Sequence, residues 1–158
     1  MNIYKAILLT LIGGLTFTIS WPTYGLFPLI FLGLIPFFYV NEFYDGKYIF
    51  LVFFTGFLTW NLTNTYWLTY ATVFGYFFAC VVNSLMMTIV FYLFRKVKIK
   101  TNDKLGYIFF SALWICYEKL HLVWDFSWPW LIFGNVFSEN TWICLLYTSD
   151  AADDQACG

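Results

Sequence analysis

Long apolar runs alternate with short polar intervals along the whole first part of the chain. Ile3 to Ser20, Leu26 to Val40, Tyr48 to Trp60, Phe77 to Phe94 and Leu105 to Tyr117 are the five runs. Each approaches or reaches the length that a helix needs to cross a bilayer core, about 20 residues. Backbone polar groups in lipid must be satisfied within the segment, so such runs predict helices. The pattern therefore predicts an all-α, polytopic transmembrane helix bundle, with about five complete spans and the start of a sixth near Leu131.

The intervals refine that picture. Trp21-Pro22-Thr23-Tyr24-Gly25 reads as a compact turn, because Pro restricts its predecessor and cannot extend a helix. Gly13-Gly14 offers a place where a neighbouring helix can approach closely. Pro28 and Pro36 lie near the two ends of the second run. The polar stretch Asn61 to Thr65 either bonds between helices or marks the end of a span. The first run follows Lys5 in the manner of a signal peptide, but no small-residue cleavage site follows it, which fits an uncleaved first helix.

Charge orients the bundle. Arg95, Lys96, Lys98, Lys100 and Lys104 hold five of the eight basic residues within one ten-residue stretch. Basic loops stay in the cytoplasm, so this stretch, the Asn41 to Lys47 interval and the N-terminus are expected there. The Trp21 to Gly25, Asn61 to Gly75 and His121 to Trp130 regions are expected on the other side, the periplasm of a bacterium.

Composition agrees with a membrane protein: 61% hydrophobic, 11% charged and 25% aromatic. Trp and Tyr gather at the ends of the runs, where amphipathic rings settle at an interface. No basic tract of the nucleic-acid kind is present. From Cys144 the character changes to Cys-Leu-Leu-Tyr-Thr-Ser-Asp-Ala-Ala-Asp-Asp, which looks like a translated sequencing adaptor. Residues 1–143 are accordingly expected to be a truncated N-terminal transmembrane domain, and 144–158 an artefactual tail. Up to Ile143 there are eight basic and six acidic residues, a net charge of +2. Only Cys80 and Cys116 then remain, inside apolar runs. Neither cysteine has the spacing of a metal site or a disulfide framework.

The densest polar cluster is Glu118, Lys119, His121 and Asp125. Glu118 shares a helix face with Trp114 (i−4) and with His121 (i+3). A carboxylate at such a position either orders a loop or meets a polar headgroup, or else is an ordinary helix-end charge. One His and two carboxylates without a recognised spacing do not predict a metal site, and no cofactor is implied. Asp125 to Leu131 is an aromatic loop bounded by Pro129, suited to lie at the interface and shape a lipid entrance, or simply to anchor the belt. The candidate lipid contacts are Trp67, Glu118, Trp128, Pro129 and Trp130. Glu42, in a cytoplasmic interval, is expected to be solvated.

Three blocks resemble the apolipoprotein N-acyltransferase family. They are Trp21 to Leu29; Phe54 to Phe57 through Tyr66-Trp67-Leu68 to Phe74-Gly75; and Ala112-Leu113-Trp114, Glu118, Trp128-Pro129-Trp130-Leu131 and Gly134-Asn135. They come in family order and cover about Leu15 to Asn135. Trp128 stands where Phe is usual, and His121 where Arg is often found. The resemblance implies an enzyme of the bacterial inner membrane that moves an acyl chain from a phospholipid onto a cysteine. From there the chain passes to the N-terminal diacylglyceryl-cysteine of an apolipoprotein, with a Glu and a Lys assisting. In the family those residues sit in a periplasmic nitrilase-like domain after the seventh span. Neither Cys80 nor Cys116 matches the nucleophile, so this chain is expected to be a membrane platform without catalytic residues. The competing readings are a fragment of a small-molecule transporter and a structural membrane subunit.

Overall fold

The computed structural model describes residues 1–124 and 129–138. Five α-helices follow one another: α1 (Ile3–Ser20), α2 (Leu29–Phe43), α3 (Ile49–Asn64), α4 (Val73–Lys100) and α5 (Asp103–Val123). Short 3-10 turns form at Tyr66–Tyr70, Pro129–Leu131 and Phe133–Phe137. No strand occurs among the described residues. Helix α1 packs against both α2 and α3, α3 packs against α4, and α4 against α5.

Local chemistry explains where the helices start and stop. Thr72 Oγ1 accepts from the Gly75 N–H and opens α4, and Asn102 Oδ1 accepts from the Leu105 N–H and opens α5. The turn after α1 closes with the Tyr24 and Gly25 N–H groups donating to the Trp21 carbonyl. Gly25 has φ 72°, which a side chain would disfavour. Pro28 precedes the first residue of α2, which delays that helix to Leu29. Helix α4 runs through the basic stretch, so Arg95 to Lys100 are helical and the connection to α5 shrinks to Thr101 and Asn102. Helix α5 likewise runs past Tyr117 and takes in Glu118, Lys119 and His121.

An aromatic column fills the centre. Phe17, Phe37, Phe53, Phe57, Trp60, Phe91 and Phe94 are fully buried. Phe37 stacks on Phe57 at 4.5 Å between centroids, and Phe91 meets Phe110 edge-on at 4.9 Å. Such pairs contribute roughly 0.5–1.5 kcal/mol each beyond their buried area. The α1–α3 crossing depends on glycine. A Cβ on Gly14 would collide with the Gly56 carbonyl, and a Cβ on Gly56 would lie 2.7 Å from the Thr10 carbonyl. Two hydroxyl contacts cross the same seam, Thr10 Oγ1 to the Val52 carbonyl at 2.9 Å and Thr18 to Thr63 at 2.6 Å. Gly13-Gly14 thus realises the close approach that its residues suggest.

The outside is apolar as well. Leu8, Ile12, Leu15 and Ile19 on α1, Phe31 and Ile35 on α2, and Phe77, Ile89 and Leu93 on α4 are all exposed. Helices apolar on every side suit a lipid surround or a larger protein interior. By length and composition, α1 and α4 are able to cross a membrane. Helices α2 and α3 are apolar but have 15 and 16 residues, about 22–24 Å at the α-helical rise, against a core of roughly 30 Å.

Two expectations are corrected. Residues 129–138 do not open a sixth span at Leu131. They form two 3-10 turns, which let Leu131, Val136 and Phe137 turn inward onto the bundle. Glu42 is exposed as expected, but it does not lie in the interval after the second run. It lies in the last turns of α2 and forms an ion pair with Lys98, whose side chain is 8% exposed.

Candidate functional site at the aromatic end

The C-termini of α1, α3 and α5 meet the N-termini of α2 and α4 at one end of the bundle. Trp21 lies edge-on to Trp60 at 5.8 Å, and the Tyr76 hydroxyl donates to the Leu62 carbonyl at 2.8 Å. The Pro129–Phe137 segment folds back over this end. Phe133 stacks on Trp114 at 4.7 Å with an interplanar angle of 22°, and its ring also lies 5.7 Å from Phe17 and 5.8 Å from Trp60.

Glu118 clamps that segment. Its Oε1 accepts from Trp114 Nε1 at 2.9 Å, the i, i+4 pair along α5, and from the Phe133 N–H at 2.8 Å. One carboxylate oxygen therefore ties the start of a 3-10 turn to the helix beneath it. A half-buried carboxylate without donors would be costly; two N–H donors to a single charged acceptor are among the stronger hydrogen bonds a protein makes. Asn135 closes the segment on itself, its Nδ2 donating to the Pro129 carbonyl at 2.7 Å and the Trp130 carbonyl at 3.3 Å.

With Phe133 and Leu131 turned inward, Trp130 is left outside, 52% exposed. It meets Trp67, 41% exposed, edge-on at 5.4 Å. Trp67 comes from the 3-10 turn after α3, whose neighbours Tyr66 and Tyr70 are exposed too. Of the candidate lipid contacts, Trp67 and Trp130 are thus paired on one surface, while Glu118 lies half-buried beneath the segment that begins at Pro129. Trp128 and Asp125 lie outside the described residues. Glu118 and His121 share a helix but are not bonded. His121 is 3% exposed, lies edge-on to Tyr117 at 4.8 Å, and neither ring nitrogen has a hydrogen-bond partner among the described residues.

Beneath the aromatic surface runs a polar chain across three helices. The Tyr117 hydroxyl donates to Asn83 Oδ1 at 2.6 Å, Asn83 Nδ2 to Asn61 Oδ1 at 2.8 Å, and Asn61 Nδ2 to the Phe57 carbonyl at 3.0 Å. Asn61 therefore bonds between helices inside α3 and does not mark its end. Sequence reasoning passed over Asn83 and Tyr117. The signal was present, since Asn83 is an isolated amide within the apolar run Phe77 to Phe94, and a polar residue there calls for a partner on another helix.

The two cysteines among the described residues sit in different settings. Cys80 is buried and contacts the Thr65 hydroxyl at 3.3 Å, while Cys116 is exposed on α5 and bonds to no base. A cysteine nucleophile needs a thiolate-stabilising neighbour or a general base. No group of three His, Cys, Asp or Glu side chains able to hold a metal ion occurs among the described residues.

Comparison with known proteins adds one result. The family model described as the apolipoprotein N-acyltransferase N-terminal domain matches residues 13–148, from the middle of α1 to beyond the Ile143 boundary drawn above. No curated protein and no solved structure matches the chain. The family match covers all the elements just described except the first turns of α1, and the chain belongs to the apolipoprotein N-acyltransferase N-terminal domain family.

Proposed function

We propose that this chain is part of the membrane platform of an apolipoprotein N-acyltransferase. In this reading α1 to α5 all cross the bacterial inner membrane, with the basic end in the cytoplasm and the aromatic end at the periplasmic face. Seven of the eight basic residues support the orientation: all but Lys119 lie in the N-terminal segment, the α2–α3 turn, the end of α4 or the start of α5. The exposed apolar flanks of α2 and α3 support five spans, the thin hydrocarbon match being made up by interfacial Tyr and Trp.

The observation that carries the reading is the Glu118 clamp. It holds Pro129–Phe137 so that Trp130 and Trp67 project together from the end of the bundle. Paired exposed indoles at an interface suit the glycerol and upper acyl region of a phospholipid. The platform would hold the phospholipid acyl donor and receive the apolipoprotein acceptor, whose diacylglyceryl-cysteine is itself a lipid. It takes no part in bond making, which is the role of the family's cysteine, Glu and Lys. A small-molecule transporter has less in its favour, because the buried Asn61, Asn83 and Tyr117 side chains satisfy one another across the helices.

Full-length protein in membranes tests this. A phospholipid carrying a photoreactive acyl chain should label Trp67, Pro129 and Trp130. Trp67→Ala with Trp130→Ala should lower lipoprotein acylation at unchanged protein level. Uniform labelling around the bundle, or full acylation by the double variant, would refute the platform role. Reporter fusions at Thr23 and Thr101 read orientation separately, and periplasmic activity at Thr101 alone would reverse it.

A further inference from the structure

The basic end of the bundle holds two neighbouring cavities of opposite electrical character. The smaller, about 190 Å³, is lined by Asn41, Glu42, Asp45, Arg95, Lys98 and Asp103 among others. Its cations are matched by carboxylates. Arg95 pairs with Asp45 and donates to the Asn41 carbonyl; Lys98 pairs with Glu42 and lies 3.5 Å from Asp103.

The larger cavity, about 360 Å³, opens between the α2–α3 turn and the last turns of α4. Lys47, Lys96 and Lys100 line it together with the Arg95–Asp45 pair. Among the described residues none of these three lysines forms an ion pair with a carboxylate. Two are instead set against rings, Lys47 Nζ 4.9 Å from the Tyr48 centroid and Lys96 Nζ 5.2 Å from that of Tyr92. Tyr92, Lys96 and Lys100 succeed one another at i, i+4 and form one stripe of α4. The remaining wall is apolar, with Ile49 buried and Ile99 exposed beside the cations.

We propose that this cavity binds the phosphate of an anionic phospholipid headgroup in the leaflet at the basic end. The site is distinct from the acyl-donor surface at the opposite end. Three unmatched ammonium groups around a concave opening attract a phosphate; the adjoining isoleucines and tyrosine accept the glycerol and first methylenes of an acyl chain, which a free phosphate lacks. Basic pockets at the membrane surface are a recurrent way of holding anionic headgroups. The proposal rests on the membrane-spanning reading above.

The test uses full-length protein in phosphatidylcholine nanodiscs titrated with a fluorescent phosphatidylglycerol. Lys47→Gln with Lys96→Gln removes two charges from the cavity; Lys5→Gln with Lys104→Gln removes two at the same end but outside it. The cavity pair should weaken binding about tenfold or more, since each lysine near the headgroup region contributes on the order of fivefold, and the control pair should change it little. Equal weakening by both pairs would reduce the effect to diffuse surface charge and overturn the site. Displacement of the lipid by inorganic phosphate, beyond that by chloride at the same ionic strength, would make it a site for free phosphate and overturn the lipid assignment. Alkaline extraction of the unmodified protein from pure phosphatidylcholine vesicles reads the spanning claim by itself. Release would overturn that claim and the site with it, whereas retention together with equal weakening would overturn the site alone.

Discussion

At the aromatic end a single carboxylate, Glu118, works from inside the bundle and decides the path of a loop. At the basic end Glu42, Asp45 and Asp103 work from the rim, where Asp45 and Asp103 are largely exposed and meet cations borne on α4. The chemistry is similar, carboxylates with N–H donors, but the surroundings differ. Exposed ion pairs contribute about 0–1 kcal/mol because water screens them and long side chains lose freedom. The Glu118 bonds are partly withdrawn from water and fix the backbone of a loop that the Phe133 ring packs onto the bundle. The aromatic end should therefore depend on two residues, Phe133 and Glu118, and the basic end on none in particular.

The sharpest break should come from Phe133→Ala. It removes the ring that packs on Trp114, Phe17 and Trp60. A loss of about 3 kcal/mol is expected, at the low end for an aromatic truncation because Phe133 is only partly buried. Thermal unfolding of the full-length protein in detergent checks it, and a change under 1 kcal/mol would show that the loop is not packed as described.

Glu118→Ala comes next. It leaves the Trp114 and Phe133 N–H groups without their acceptor and should cost about 2–3 kcal/mol, with acylation lost in cells. Glu118→Gln keeps an acceptor oxygen at the same place and should retain most of the stability. If Gln and Ala behave alike, a specific charge at this position matters more than the clamp geometry.

Tyr117→Phe tests whether polar bonds matter as much deep between helices as they do at the loop. It removes only the hydroxyl that donates to Asn83. A cost of about 0.6–1.7 kcal/mol is expected, the range of interhelical hydrogen bonds in membrane proteins. A larger loss than that of Glu118→Ala would move the weak point from the loop to the buried chain.

Glu42→Ala should be the mildest, roughly 0.5 kcal/mol and smaller still in high salt. Lys98 retains Asp103 at 3.5 Å and the Tyr107 ring at 4.9 Å. A cost equal to that of Glu118→Ala would erase the contrast between the two ends.

Much of the fold was legible because long apolar runs announce helices by their length, and all five runs became helices. Boundaries were less so. Asn61 to Asn64 and Arg95 to Lys100 are polar, yet they stay helical, since the first finds partners on a neighbouring helix and the second meets carboxylates and rings at the rim. Of the candidate site, the Trp114–Glu118 spacing was readable from the helical repeat. The third member, the Phe133 N–H, was not: a backbone donor has no side-chain signature, and fifteen residues of chain separate it from Glu118.

The sequence by itself determined the helical class, the five apolar runs that become helices, the gathering of positive charge at one end and the family. Each of these is a property of local runs or of ordered motifs, and needs no knowledge of what touches what. Only the tertiary structure decided that Glu118 binds a loop and not His121, that Asn61, Asn83 and Tyr117 form one chain, and that Glu42 is spoken for while three lysines around one cavity are not. Those outcomes depend on distances across helix interfaces. Gly14 and Gly56 set one of these by letting α1 and α3 approach, and the folding back of residues 129–138 sets another, bringing together groups that chain spacing alone leaves unrelated.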